Sequence, residues 1–335
     1  MSEKPPVQNC ESRAESSGQE HAPQLANPAA ILHGCFFLAG PTAVGKTEIA
    51  VSLAEACNGE IVGADAFQVY RGLDLLTAKP ASEALSRVPH HLVGTVPLTE
   101  TFSVARYLGA ALHAIAEIQS RGRCPIITGG TGLYIRALTR GLSDAPPSSP
   151  ELRTELDATP LPQLLARLES VDPDAARVVD RNNPRRIRRA LEVVLLSGKP
   201  FSSFRQEWEQ IPQFHGVFLE RSREELYARI NQRTVAMFEQ GVVEEVRDAI
   251  TSGAVGATAQ QVIGWSQIEA LLRGEISEAG CISAVQQATR HYAKRQSTWF
   301  RREPMLIPVS LTATNDNESS LQKVVAIAKA SLCLE

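Results

Sequence analysis

The sequence predicts an α/β fold, in which a parallel sheet flanked by helices carries an inserted helical domain. A glycine-rich loop at 40–47 lies between an apolar run and a helical pattern, as a phosphate-binding P-loop does. Strand-like and helical segments then alternate, which is typical of a parallel sheet covered by helices. A break rich in Pro and Ser at 143–150 is followed by helical sequence to about residue 198. These three observations predict a P-loop NTPase-like core with an insertion.

Each element of the core is predicted from the length and period of its apolar residues. Strands are predicted at the short apolar runs 35–39, 60–64, 125–128, 216–219 and 305–309. Helices are predicted at 47–57 and 103–120, where apolar residues recur every three or four positions. Further helices are predicted between the last two strands, to about residue 302.

The order of these elements predicts four parts. The core is made of two segments, 30–143 and 213–312, and the helical insertion at 144–212 separates them. The tail at 1–28 is rich in Ser, Glu, Gln and Pro, so it cannot bury enough apolar surface to offset the entropy lost on ordering, and we predict that it is disordered. Residues 313–335 form a C-terminal segment.

Composition limits the classes of protein. A hydrophobic content of 43 % and a charged content of 21 % are ordinary for a soluble protein, and the net charge of −3 gives no global attraction for nucleic acid. The six cysteines are scattered without a C-x-x-C pair, which argues against a zinc site and a disulfide framework. Apolar runs are of strand length and no signal pattern opens the chain. We expect a cytoplasmic protein without membrane association.

The glycine-rich loop is the strongest local motif. Its residues are Gly40, Pro41, Thr42, Ala43, Val44, Gly45, Lys46 and Thr47. The backbone N–H groups of such a loop and the N-terminus of the following helix converge on an anion. Lys46 adds a point charge, and Thr47 is placed to hold Mg²⁺. The strand before the loop and the helix after it disfavour an ordinary glycine-rich turn.

Asp65 follows the second predicted strand, and its role has two interpretations. It could hold Mg²⁺, as the second-strand Asp of many nucleotide-hydrolysing P-loop proteins does. It could instead be a base acting on a substrate, since Gln68 and Tyr70 in the same loop are polar groups able to contact a planar ring. The next predicted strand ends in Gly129-Gly130-Thr131 and supplies no second carboxylate.

Two basic segments predict surfaces for nucleic acid. The first contains five arginines between 181 and 189, on a helix whose other face carries Ile187 and Leu191. The second, 290–302, contains cations and no acid, and aromatic residues lie between the cations. Cations and aromatic rings together are typical of a surface that binds phosphates and stacks bases. Either helix alone could equally be an ordinary solvated face.

Together these motifs resemble the tRNA dimethylallyltransferases, a family of P-loop prenyltransferases that modify an anticodon-loop adenosine. The resemblance extends from about residue 34 to 302. It depends on eight motifs: GPTAVGKT (40–47), DAFQVYRGLD (65–74), TAKP (77–80), HHL (90–92), GGTGLY (129–134), RRALE (188–192), RINQR (229–233) and AKRQSTWF (293–300).

The resemblance implies a role for each matching position. Residues 40–47 would bind the diphosphate of dimethylallyl diphosphate rather than ATP, with Mg²⁺ on Thr47. Asp65 would be the base on the adenine amine, and Thr131 and Arg233 would assist. Arg229, one helical turn before Arg233, is our second choice for that assisting cation.

The resemblance also implies contacts to tRNA, whose anticodon stem-loop the helical insertion would enclose. The implied contact residues are Asp65, Ala66, Phe67, Gln68, Thr131, Arg153, Arg185, Arg186, Ile187, Arg188, Arg189, Gln261, Val262, Ile263, Gly264, Trp265, Ser266, Lys294, Arg295, Gln296, Trp299 and Arg301. The chain departs from the family pattern at Ala66, where Ser is usual, at Trp265-Ser266, where Tyr and a cation are usual, and at 180–183. The expected partners are tRNA and dimethylallyl diphosphate, and a monomer is expected.

Three other functions fit parts of the sequence. A prenyltransferase acting on free adenine nucleotide would not need the helical insertion or the basic segment at 290–302. A small-molecule P-loop kinase would be expected to carry paired arginines that close over ATP in place of the Gly129-Gly130-Thr131 loop. An RNA-binding regulator with an inactive P-loop is disfavoured by intact Lys46, Thr47 and Asp65.

Overall fold

The computed structural model describes residues 31–204, 214–253, 255–311 and 317–332. The predicted disordered tail at 1–28 lies outside these residues, as does the predicted end of the helical insertion at 212. Within the described part of the chain, no helix is both long enough and apolar enough to cross a membrane. The four cysteines in that part, Cys35, Cys57, Cys124 and Cys281, are free and buried.

A parallel sheet forms the centre of the fold. Its strands are β1 (Phe36–Ala39), β2 (Gly59–Gly63), β3 (His90–His91), β4 (Cys124–Gly129), β5 (His215–Glu220) and β6 (Leu306–Ser310), in the order β3-β2-β4-β1-β5-β6. All residues of β1 and β2 are buried, because helices cover both faces of the sheet. The predicted parallel sheet is confirmed. The short strand β3 was not predicted, since two residues have no detectable period.

Helices connect and cover the strands. In the described residues they are α1 (Lys46–Ala56), α2 (Ser82–Arg87), α3 (Val104–Ser120), α4 (Gly132–Arg140), α5 (Pro150–Ala158), α6 (Leu161–Val171), α7 (Pro173–Val178), α8 (Pro184–Ser197), α9 (Arg223–Glu239), α10 (Val242–Thr251), α11 (Trp265–Leu272), α12 (Glu278–Phe300) and α13 (Asn317–Leu332). Ser103 caps α3, where its hydroxyl accepts a hydrogen bond from Arg106 N at 3.1 Å. Asn183 caps α8 in the same way, through Arg186 N at 3.3 Å. These caps explain why both helices begin where they do.

The two faces of the sheet bury different sets of helices. Phe37 and Ala39 of β1 lie in one apolar cluster with residues of α3, α4 and α12. Phe36 and Leu38 point to the opposite face and pack with α1, α9 and α13. This alternation follows from the two-residue period of a strand. Because the strands are parallel, their carboxyl ends and the loops that follow them lie at one edge of the sheet.

The helices between β4 and β5 have an apolar cluster of their own. Leu156, Leu164, Leu168, Ile187 and Leu191, from α5, α6 and α8, are all at most 1 % exposed. Pro at the first or second position of each of the helices α5 to α8 fits the start of a helix, where no N–H partner is lost. A separate core is what an inserted domain requires, although the exact domain boundaries stay a prediction.

Candidate active site

The glycine-rich loop joins the carboxyl end of β1 to the start of α1. Gly45 has φ 110° immediately before the helix, a conformation that a side chain would oppose. Ala43 also has a positive φ, 65°, although it carries a side chain. Its carbonyl oxygen accepts a hydrogen bond from Arg229 Nε at 2.9 Å. The surrounding protein therefore maintains a loop conformation that is intrinsically strained at Ala43.

Lys46 lies over this loop. Its Nζ donates to the carbonyl oxygens of Gly40 and Pro41, both at 2.8 Å. Removal from water lowers the pKa of Lys46 to about 8, while Asp65 opposes this shift and Arg233 adds to it. An anion bound in the loop would favour the charged form and raise this pKa again. The site is thus prepared for a negatively charged group.

Helix α9 and the residues before it support the loop with three arginines. Arg233 Nη2 donates to Thr42 Oγ1 at 2.7 Å, and Arg221 Nε donates to Val44 O at 2.8 Å. Together with the Arg229 contact described above, they hold three consecutive loop residues. Burial lowers the pKa of Arg233, although Asp65 opposes that effect. Because guanidinium groups stay charged in proteins, this side of the loop is strongly cationic.

Asp65 lies two residues after β2 and is fixed by its own backbone. One carboxylate oxygen, Oδ1, accepts hydrogen bonds from Phe67 N at 2.9 Å and Gln68 N at 3.2 Å. Among the residues that the structure describes, no hydrogen bond to Oδ2 is found. A carboxylate held through one oxygen keeps the other for a substrate, which fits a base.

Asp65 lies where two cavities meet. The larger cavity, about 740 Å³, is lined by the phosphate loop, Arg229 and Arg233. The smaller one, about 60 Å³, is lined by Asp65 together with Phe67, Val262, Ile263 and Tyr292, among others. An anion in the larger cavity and a planar group in the smaller one would thus lie on either side of this carboxylate.

Thr131 lies two residues after β4, next to the loop that carries Asp65. Its Oγ1 accepts a hydrogen bond from Ala66 N at 3.0 Å, which holds the residue next to Asp65. Tyr292 of α12 interacts through its side chain with Thr131 and Gln296, and burial raises its pKa with a further contribution from Asp65. In the sequence Tyr292 is one of the aromatic residues between the cations of the basic segment 290–302, and in the structure it lines the smaller cavity beside Asp65. Sequence analysis gave it no role in the site, because its position next to Thr131 depends on how α12 packs.

Gln68 and Tyr70, the two polar residues that follow Asp65 in its loop, have different surroundings. Gln68 lines the larger cavity, and its Nε2 donates to Thr77 O at 3.2 Å and Ala78 O at 2.9 Å. Tyr70, in contrast, is fully buried, and its hydroxyl accepts a hydrogen bond from Phe102 N at 3.2 Å. The prediction that Tyr70 contacts a planar ring is therefore wrong. Tyr70 packs instead in an apolar cluster that includes residues of α3.

The arginines of the first basic segment differ in how they are paired. Arg185 and Arg186 are exposed at the start of α8, and neither forms an ion pair in the described structure. Arg188 pairs with Asp157. Arg189 binds Glu192 at 2.7 Å, and Glu192, which is 1 % exposed, also accepts from Arg153 Nε at 3.1 Å. The cationic surface of this helix is thus formed mainly by Arg185 and Arg186.

The second basic segment lies along α12. Lys294 and Arg295 are exposed, and Arg295 lies over the Tyr292 ring at 5.8 Å. Trp299 is half-buried and meets Phe300 edge-on. Arg301 lies 3.4 Å from Glu220. Gln296, on the same helix, is only 5 % exposed.

Several residues that the resemblance assigns to tRNA are not at the surface. The side chains of Ile187, Val262 and Trp265 are at most 4 % exposed and pack in apolar clusters, and Val262 also lines the smaller cavity. Their assignment to tRNA stays a prediction. Gly264 is also buried, with φ 102°. Exposed or half-exposed positions in the same stretch are Gln261, Ile263 and Ser266. An apolar residue within a motif can serve packing or contact, and the residue type alone does not separate the two.

Comparison by sequence and comparison by structure both find that this chain is similar to one family of transferases. Residues 68–303 match the family model described as IPP transferase. The chain is 40 % identical to a tRNA dimethylallyltransferase of Akkermansia muciniphila, over 86 % of this chain and 97 % of the relative. It is 42 % identical to that of Geobacter sulfurreducens, over 89 % of this chain and 98 % of the relative.

Solved structures are also similar. The full-length tRNA isopentenylpyrophosphate transferase from Bacillus halodurans superposes with a TM-score of 0.67 at 34 % identity, covering 90 % of this chain and 97 % of that one. A eukaryotic dimethylallyltransferase, described as acting on tRNA, superposes with a TM-score of 0.76 at 26 % identity. That match covers 89 % of this chain and 79 % of the other.

Proposed function

The chain belongs to the IPP transferase family, and from that premise we propose that it transfers a dimethylallyl group from dimethylallyl diphosphate to the exocyclic amine of an anticodon-loop adenosine in tRNA, releasing diphosphate. Relatives of this chain are named tRNA dimethylallyltransferases, and the eukaryotic structure shows such an enzyme acting on tRNA. The observation on this chain that carries the proposal is the position of Asp65, between an anion-binding cavity and a narrow second cavity.

The cations of the larger cavity support diphosphate as the leaving group. In the proposed reaction the allylic carbon–oxygen bond breaks, a carbon–nitrogen bond forms, and the amine proton passes to Asp65. Negative charge grows on the diphosphate as the bond breaks. Lys46, Arg229 and Arg233 line the cavity that would hold it, together with loop N–H groups. Fixed donors and cations of this kind stabilise developing charge without reorganising.

The residues present also fit Mg²⁺. This ion prefers oxygen ligands and usually binds through one or two protein groups, several waters and the phosphates of the substrate. Thr47 lines the larger cavity. The described residues contain no group of three or more His, Cys, Asp or Glu that could hold a metal. The hydroxyl oxygen of Thr47 and the oxygens of the donor would hold the ion, and Mg²⁺ would neutralise part of the charge on diphosphate.

The acceptor must reach Asp65 from the side of the smaller cavity. An adenine amine is a poor nucleophile because its lone pair is delocalised into the ring, so a base that takes its proton assists the attack. A base that is stacked in an RNA loop must leave the stack to enter such a cavity. Val262 and Ile263 give this cavity an apolar wall, which suits the face of a purine.

The proposal is tested by omitting ATP. We expect the protein, tRNA, dimethylallyl diphosphate and Mg²⁺ to give tRNA in which one anticodon-loop adenosine carries an added prenyl group, as measured by mass analysis of nuclease fragments. Diphosphate should be released in equal amount. An absolute requirement for ATP, or release of ADP in step with turnover, would refute prenyl transfer and favour a kinase.

The acceptor is tested in the same assay with AMP in place of tRNA. The exposed cations Arg185, Arg186, Lys294 and Arg295 favour an RNA, because a small nucleotide would not need them. We therefore expect little product from AMP. Product formed from AMP at a rate equal to that from tRNA would instead support the free-nucleotide prenyltransferase.

Arg185→Ala and Arg186→Ala should each weaken tRNA binding and reduce its dependence on salt. A cation that contacts one phosphate contributes about one unit or less to the slope of log affinity against log salt concentration. These two arginines are the best choice on α8, since removing Arg189 would leave the buried Glu192 with one partner fewer. Binding measured by filter retention at several salt concentrations gives the slope.

The matched control is Arg177→Ala, which removes an exposed arginine from α7 of the same helical region. It should leave the slope unchanged, and none of the three substitutions should alter diphosphate binding. If Arg185→Ala and Arg186→Ala retain the parent affinity and slope, the exposed face of α8 is an ordinary solvated surface.

A further inference from the structure

We infer that Gln296 is a positioning residue, which ties the phosphate loop to the loop that carries Thr131 and so fixes the donor site relative to the base. The inference depends on the proposed function for the identity of the ligand, a diphosphate. The resemblance assigns Gln296 to tRNA, but the side chain is 5 % exposed and lines the larger cavity.

The carboxamide of Gln296 forms one hydrogen bond to each loop. Its Oε1 accepts from Thr42 N at 2.8 Å, and its Nε2 donates to Gly130 O at 2.9 Å. A Cβ added to Gly130 would lie 2.2 Å from Nε2, so the absence of a side chain there is what admits the carboxamide. The oxygen and the nitrogen of one carboxamide thus each bond to a different loop.

The bond to Thr42 controls the start of the phosphate loop. Thr42 is held from two sides, by Gln296 at its N–H group and by Arg233 at its hydroxyl. The next residue, Ala43, has a positive φ. A loop with such a conformation relaxes unless its neighbours hold it. A loop that is already held loses less conformational entropy when it binds a ligand.

The bond to Gly130 connects this loop to the base. Gly130 precedes Thr131, whose hydroxyl accepts from Ala66 N beside Asp65. A displacement of about 1 Å between reacting groups can cost about 100-fold in rate. Gln296 therefore sets the separation between the leaving group and Asp65, through Thr42 on one side and Thr131 on the other.

Two substitutions test this role. Gln296→Met keeps the length and volume of the side chain but removes both hydrogen bonds. Gln296→Glu keeps an acceptor for Thr42 N, and only its protonated form can also donate to Gly130 O. The matched control is Gln287→Met, at an exposed position of the same helix. Inorganic diphosphate with Mg²⁺ is the probe, measured by calorimetry, and tRNA affinity is measured separately by filter retention.

We expect Gln296→Met to weaken diphosphate binding about tenfold, as the loss of two hydrogen bonds predicts, and to lower kcat further. The affinity for tRNA should stay within about twofold of the parent, and Gln287→Met should change nothing. Gln296→Glu should also bind diphosphate more weakly than the parent, because an ionised carboxylate cannot donate to Gly130 O and repels the anion. A purely space-filling role would leave Gln296→Met, which fills the same space, with the diphosphate affinity of the parent.

The inference is overturned if Gln296→Met binds diphosphate as the parent does, or if it loses tRNA affinity while diphosphate binding is unchanged. If the parent itself binds no diphosphate, the proposed function fails and this inference fails with it. The last result is distinguishable from the others because it is seen without any substitution.

Discussion

Replacing Asp65 by Asn should lower turnover by at least about 100-fold while leaving both substrates bound. The carboxamide oxygen of Asn can still accept the hydrogen bonds from Phe67 N and Gln68 N, so the loop keeps its shape. The substitution removes only the ability to take a proton. A positioned general base typically contributes about 10²-fold to 10⁴-fold to the rate. Single-turnover measurement of prenylated tRNA gives the chemical rate directly.

The control for this substitution is Asp248→Asn, which changes an exposed carboxylate on α10. It should retain the parent rate. Affinities for tRNA and for diphosphate should be the same in Asp65→Asn and in the parent. A near-normal rate in Asp65→Asn would exclude Asp65 as the base. A loss of Mg²⁺-dependent diphosphate binding would instead favour the metal-ligand interpretation of this residue.

Replacing Lys46 by Ala should cost about 3 kcal/mol or more of transition-state stabilisation, which is about 150-fold in kcat/KM. The reason is that charge develops on the diphosphate beside this ammonium group as the allylic bond breaks. Lys46 is also a partner of Gly40 O and Pro41 O, so Lys46→Met is included as a variant that keeps the aliphatic stem. Both variants should be measured with dimethylallyl diphosphate varied and tRNA saturating.

The pKa of Lys46, about 8 in the ligand-free protein, gives this prediction a second measurement. As the pH rises through that value the free protein loses the charge, whereas a bound anion favours the charged form. Diphosphate affinity of the parent should therefore fall as the pH rises above about 8, relative to Lys46→Met at the same pH. Lys323→Ala, at an exposed position of α13, is the control. Equal rates in the parent and Lys46→Ala would show that another group stabilises the leaving group.

The core could be predicted because its signals are local. Apolar runs of strand length predicted β1, β2, β4, β5 and β6, each with ends within one residue of those observed. Helices α1 and α3 followed from apolar residues with a period near 3.6. The C-terminal helix α13, which covers one face of the sheet, was not predicted, because residues 313–335 were treated only as a terminal segment.

The sequence of the first basic segment does not show which of its arginines form ion pairs. Sequence predicted where the cations lie along the chain, but all five arginines between 181 and 189 looked equivalent. Arg188 and Arg189 are paired with Asp157 and Glu192, whereas Arg185 and Arg186 are exposed without ion pairs in the described structure. For Arg188 the difference depends on α5, whose Asp157 lies 31 positions earlier, whereas the partner of Arg189 lies on α8 itself.

By itself the sequence predicted the parallel sheet and the phosphate loop, and it placed Asp65 and Thr131 after two strands whose carboxyl ends meet at one edge of that sheet. The assisting roles of Thr131 and Arg233 came from the family resemblance. Only the tertiary structure decided which side of each helix faces that edge. It placed Gln296 against Thr42, which is 254 positions away, and it buried Tyr70 in the core. Such contacts depend on how α12 packs across two loops, and no pattern among neighbouring residues encodes that packing.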